Sequence, residues 1–155
     1  MKPKAPTTSA QNSTTTTLND LLANYMVFYQ NVRGLHWNIK GDKFFELHAK
    51  FEELYTDLLI KVDEIAERIL TVGSKPLHTF QDFLDQSEIK QVKNVSDAQK
   101  AVQAVVTGLE TLLKLERAIL KKSDMKEDEG TNALMSDYIR EQEKLVWMYK
   151  AFLGK

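Results

Sequence analysis

Cysteine is absent from the 155-residue chain, which excludes disulfides and thiolate metal ligands. No stretch approaches the 18 or more consecutive apolar residues that suggest a membrane span, so no membrane partner is expected. Lysines near the N-terminus have no apolar run behind them. No secretory signal is therefore read, and a cytoplasmic location is expected. Charge of one sign is lacking too. The 21 Lys and Arg against 22 Asp and Glu leave a net −1, which argues against a globally cationic nucleic-acid binder. The 43% apolar and 28% charged residues, over a length that suits one domain, are those of an ordinary globular protein.

No strand pattern competes with helical periodicity anywhere in the chain. Residues 1–16, MKPKAPTTSAQNSTTT, are rich in Thr, Ser and Pro and cannot bury enough surface to offset their ordering entropy, so they are expected to form a flexible tail. From Leu18 the apolar residues Leu21, Leu22, Tyr25, Phe28, Tyr29, Val32, Leu35 and His36 share one helical face, and Gly41 marks the end of this first helix. A second helix runs from about Phe44 to Leu70 on the stripe Leu47, Phe51, Leu54, Leu58, Val62, Ile65 and Ile69, stopped by Gly73 and Pro76. A long connection follows, with a short amphipathic helix in HTFQDFLDQ. A third helix starts near Ser96, with Gln99 as capping-box partner, and ends at Lys121 and Lys122; a fourth runs from about Thr131 to Phe152. The expected architecture is all-α: a four-helix bundle, residues 17–155, with a long crossover containing a short extra helix.

The second helix carries the chemistry. At about 100° per residue, His48, Glu52, Asp63 and Glu67 fall at roughly 0°, 40°, 60° and 100°, on one side of one helix. That side reads as the flank of the apolar stripe, a costly place for three carboxylates without a cation. Histidine and carboxylate pairs at this spacing form a metal-binding pattern. His48 and Asp63 are nevertheless about 22 Å apart along the axis, whereas metal–ligand bonds are close to 2 Å. One helix cannot bring both pairs to one ion. Two copies crossing antiparallel about a twofold axis near Thr56 and Asp57 would do so, creating two equivalent sites. His36, near the end of the first helix, is positioned to join His48. The set suits iron and leaves room for an oxidant. Set against this, carboxylates at such spacing are usually solvated surface, with Glu64, Glu67 and Arg68 as ordinary salt-bridge partners, and His78 reads as structural. The Glu-x-x-His pattern of metal sites inside a bundle does not occur.

The segment LHWNIKGDKFFELHAKFEELYTDLLIKVDEIAERI strongly resembles the central signature of the Dps family, the DNA-protecting ferritin-like proteins of starved bacteria, and EGTNALMSDYIREQEKLVWMYKAF resembles its C-terminal pattern. The match covers nearly the whole chain after the tail and is weakest over residues 75 to 100. The resemblance implies a ferritin-like bundle and a hollow homo-dodecamer that oxidises Fe(II), with hydrogen peroxide rather than oxygen as the preferred oxidant, and stores ferric mineral. It implies a mono-iron or di-iron ferroxidase centre of His36, His48, Asp63 and Glu67, with Glu52 standing where many members have Asp. It also aligns Asp124 and Asp128 with the acidic lining of iron-entry pores and Glu53 with mineral nucleation. Helix N-terminal carboxylates and an exposed helical Glu give equally simple accounts of those three. Trp37 and Trp147 resemble aromatics near the family's iron site, and by spacing read as core or interface anchors. Some members bind DNA through basic tails; here Lys2 and Lys4 give only a thin footprint, so specific DNA binding is not expected, and at most a weak, non-specific DNA or nucleoid association is. Two rivals remain: a nucleoid-compacting protein with secondary iron chemistry, and a structural helical assembly without metal chemistry.

Overall fold

A computed structural model describes residues 16–155, so the expected tail lies almost wholly outside the described residues. Five helices and no strands are found among the described residues: α1 (Leu18–Asn38), α2 (Phe44–Thr71), α3 (Phe80–Gln86), α4 (Ala98–Met125) and α5 (Glu129–Phe152). None is long and apolar enough to cross a membrane.

Local chemistry sets the helix ends. Thr17 caps α1 in a capping box: its hydroxyl accepts from the Asp20 N–H at 3.2 Å, and the Asp20 carboxylate accepts from the Thr17 N–H at 2.8 Å. The α1–α2 turn passes through Gly41 at φ +108°, a conformation that side chains resist. α2 ends in a Schellman motif, Ser74 N–H to Ile69 O and Gly73 N–H to Leu70 O, both 2.9 Å, with Gly73 at φ +84°. Two expected starts are corrected. α4 is capped by Asp97, whose side chain accepts from Lys100 N–H, and not by a Ser96–Gln99 box. α5 begins at Glu129 behind the cap Asp128, two residues before Thr131.

Contacts between helix ends fix the topology. The α1 end meets the α4 start through Lys40 N–H to Ser96 O at 3.0 Å, and the end of α2 meets the start of α5 through Arg68 and Asp128 at 2.7 Å. Thus α1 and α2 run antiparallel, α4 runs parallel to α2, and α5 returns. The connection between α2 and α4 is held by three asparagines of α1. Asn19 bonds Lys75 and Leu77, Asn24 accepts from Ser87 and from the N–H groups of Glu88 and Ile89, and Asn31 bonds Lys90 and Val92. Several backbone groups of a long loop thereby find partners on α1. The core is a single apolar cluster centred on Leu21, Phe28, Phe51, Leu58, Ile65, Leu109 and Leu112. Gly108 lets α4 approach α1 closely: a Cβ built there would lie 2.6 Å from Cδ2 of the Phe28 ring.

Candidate metal centre

The last turn of α1 and the second turn of α2 bring two histidines together. His36 is buried at 7% exposure, and His48 is half-buried. Each points Nδ1 at the other's backbone carbonyl: His36 Nδ1 to His48 O at 2.6 Å, and His48 Nδ1 to His36 O at 2.8 Å. A carbonyl only accepts, so each Nδ1 carries a hydrogen, and in the neutral ring Nε2 then holds the lone pair, the arrangement of a histidine prepared for a metal. The rings stack at 3.7 Å between centroids with 13° between planes. Phe44 stacks on His48 at 4.8 Å and 22°, and Tyr55 meets His36 edge-on at 5.3 Å and 78°.

Glu52, Asp63 and Glu67 are exposed, and none approaches the histidines closely enough to form a cluster. Among the described residues, no group of three or more His, Asp or Glu could hold a metal ion within one chain. The expectation that these carboxylates flank the apolar stripe is corrected. The buried positions of α2, Leu47, Phe51, Leu54, Leu58, Lys61, Ile65 and Ile69, centre at roughly 260° on the same scale. The carboxylates centre near 70°, almost opposite. What makes their face unusual is its apolar company. Phe45 is 83% exposed, Leu59 49% and Ile60 56%. Between them lies an open depression lined by Ala49, Glu52, Glu53, Thr56, Asp57 and Ile60.

The remaining candidates are scattered. Glu53 pairs with Lys50 at 2.9 Å on the surface. Asp128 does a structural job: its Oδ1 accepts from Thr131 N–H at 3.1 Å and from Arg68 Nη2 at 2.7 Å. The Thr131 side chain and backbone and the Arg68 guanidinium hold its carboxyl below the usual range. Arg68 thus serves Asp128, not Glu64 or Glu67. Asp124 is exposed in the last turn of α4, where its carbonyl accepts from Glu127 N–H at 3.2 Å. His78 bonds the carbonyl of nearby Pro76. Neither tryptophan belongs to the core: Trp147 is exposed, and Trp37 lies under the Arg33 guanidinium at 4.9 Å. Lys2 and Lys4 lie outside the described residues.

A second polar cluster, inside the bundle, escaped the sequence reading. Glu116 is wholly buried, and its Oε1 accepts from Tyr25 OH at 2.5 Å and Gln142 Nε2 at 2.9 Å; Glu116 Oε2 and Gln142 Oε1 have no partner. Burial pushes the Glu116 carboxyl up to about 7, against the opposing effect of these donors and of Lys61. Lys61, also buried, pairs with Asp57 at 2.7 Å and Glu141 at 2.8 Å and lies 5.1 Å from the Tyr138 ring centre. Tyr138 OH donates to Glu64 at 2.5 Å. The signal was present in the pattern: Glu116 and Lys61 sit at helical spacing among apolar core positions.

The ferritin-like domain model matches residues 15–155. An uncharacterised protein of Haemophilus influenzae is 57% identical over 86% of this chain and 84% of its own length. A Porphyromonas gingivalis protein named DNA protection during starvation protein is 42% identical over 89% of this chain and 87% of its own. A solved Vibrio cholerae Dps protein, described as a member of a broad superfamily of ferritin-like diiron-carboxylate proteins, superimposes with a TM-score of 0.87 at 57% identity. That match covers 88% of this chain and 86% of the other.

Proposed function

We propose that this chain, which belongs to the Dps family of ferritin-like proteins, oxidises Fe(II) at sites shared between two copies of itself and stores the ferric product. The observation that carries the reading is the reciprocal histidine clasp, which leaves two Nε2 lone pairs free at one end of a helix whose outer face carries Glu52, Asp63 and Glu67. His36, His48 and Glu52 of one copy and Asp63 and Glu67 of the other make the site. Fe(II) is the substrate that this mixed imidazole and carboxylate set suits, as the diiron-carboxylate description of the Vibrio cholerae relative supports.

The apolar side chains among the carboxylates supply a reason to pair. Covering Phe45, Leu59 and Ile60 removes apolar surface from water at about 25 cal/mol per Å². An isologous pairing about Thr56 and Asp57 uses each patch twice. Exposed carboxylates that would be costly to cover alone are then compensated by the iron they bind.

The stacked imidazoles also favour two iron positions. A ring nitrogen's lone pair lies in the ring plane, and planes 13° apart at a 3.7 Å stack do not meet near either Nε2. One ion cannot lie in line with both. Two Fe(II) losing one electron each supply the two electrons and, with two protons, reduce one hydrogen peroxide to two waters. The residues' part is to hold the two ions and orient them; no side chain is consumed. In the larger assembly proposed, a hollow homo-dodecamer, the ferric product collects as mineral.

The test is anaerobic Fe(II) loading followed by peroxide, monitored by absorbance, on wild type and a His48→Ala/Asp63→Ala variant. Fast oxidation should be lost in the variant, and equal rates would sink the assignment. Mixing a His36/His48 variant with an Asp63/Glu67 variant and reassembling them should restore part of the activity. A site wholly within one chain would restore none.

A further inference from the structure

We propose that Phe44 is a positioning residue for the imidazole pair, an inference that rests on the metal-binding reading of His36 and His48. A hydrogen bond from Nδ1 to a carbonyl fixes one direction in the plane of a ring. The bond and the side-chain torsions restrain tilt about that direction only softly, so the clasp alone does not hold Nε2 to one line. Flat walls do. The His48 ring lies between His36 on one face, at 3.7 Å, and Phe44 on the other, at 4.8 Å and 22°. Phe44 is itself held: its N–H bonds Gly41 O at 3.2 Å at the first turn of α2, and the Phe45 ring abuts it edge-on at 5.2 Å.

Phe44 therefore transfers the rigidity of the α1–α2 turn to the ligand atom. A leucine there would keep the site apolar but present no flat face. His48 would gain rotational freedom, to be lost again when metal binds, and outer groups that orient ligands commonly change affinity tenfold or more.

Cobalt(II), with its visible ligand-field bands, is the probe, titrated into the full-length, assembled, iron-free protein. Phe44→Leu should weaken cobalt binding roughly tenfold and alter the visible bands, while the melting temperature of the metal-free protein stays close to wild type. Phe44→Tyr, which keeps the flat ring, should restore both affinity and spectrum. Wild-type affinity and bands in Phe44→Leu would overturn the positioning role, as would a Phe44→Tyr variant no better than Phe44→Leu. If Phe44→Leu does not assemble, Phe44→Met makes the same comparison with another flexible apolar side chain. His48→Ala separates the two ideas: cobalt binding unchanged there removes the metal site itself, whereas a failure confined to Phe44 leaves the site standing.

Discussion

Replacing Glu116 with Gln should make the protein more stable at neutral pH and above, and almost unchanged in acid. The Glu116 carboxyl sits at about 7 in the folded bundle against an ordinary 4.5, because burial disfavours its charge more than Tyr25, Gln142 and Lys61 favour it. A folded value above the unfolded one means that the penalty is absent below pH 4.5. It grows between 4.5 and 7, and is complete above 7. At about 1.4 kcal/mol per pH unit between the two values, the full penalty is about 3 kcal/mol. A glutamine has nearly the same shape, keeps an oxygen for the Tyr25 hydroxyl and never ionises. The advantage of Glu116→Gln should therefore rise from near zero at about pH 4.5 to about 2–3 kcal/mol at about pH 8. The assay is urea unfolding followed by circular dichroism across that range, with protomer concentration fixed because assembly contributes to apparent stability. Stability curves for wild type and variant that run parallel at every pH would refute the reasoning. The unpartnered oxygen would then belong to a carboxyl that does not titrate in this range.

Gly108→Ala should destabilise by about 1–3 kcal/mol, since the added methyl meets the buried Phe28 ring and neither can withdraw; thermal melting checks it. Thr17→Ala should remove the capping box and cost about 1 kcal/mol, with hydrogen exchange accelerated chiefly in the first turn of α1. Ile60→Lys places charge on the apolar face between Glu52 and Asp63. It should lower the assembly mass measured by sedimentation while helix content is kept; an unchanged mass would show that this face is not an interface.

Helix number, order and the short helix of the connection were legible because apolar spacing of three and four recurs in α1, α2, α4 and α5. The misplaced starts have local causes. Ser96 and Asp97 are both good caps, and the sequence does not say which side chain turns toward the Lys100 N–H. Asp128 is fixed as the cap of α5 with help from Arg68, sixty residues away, which no local pattern reveals. The shared side of His48, Glu52, Asp63 and Glu67 followed directly from periodicity. Its relation to the core did not, because half-buried Val62 continues the apolar stripe whereas Lys61, a charged residue, is the one that is buried. Glu116 was hidden for a similar reason. A charged residue on an apolar face reads as an interruption until its partners on α1 and α5 are known.

Because each histidine ring is one wall of the other's setting, the pair should evolve as a unit. Losing either side chain removes one of the two bonds and one face of the stack, so the survivor is left held only by its hydrogen bond and its outer wall. The first substitution then carries most of the functional cost and the second very little. In mutational terms this is strong epistasis across the α1–α2 turn. A lineage that loses one of these histidines has little left to conserve in the other, and once both are lost, regaining function requires both changes together.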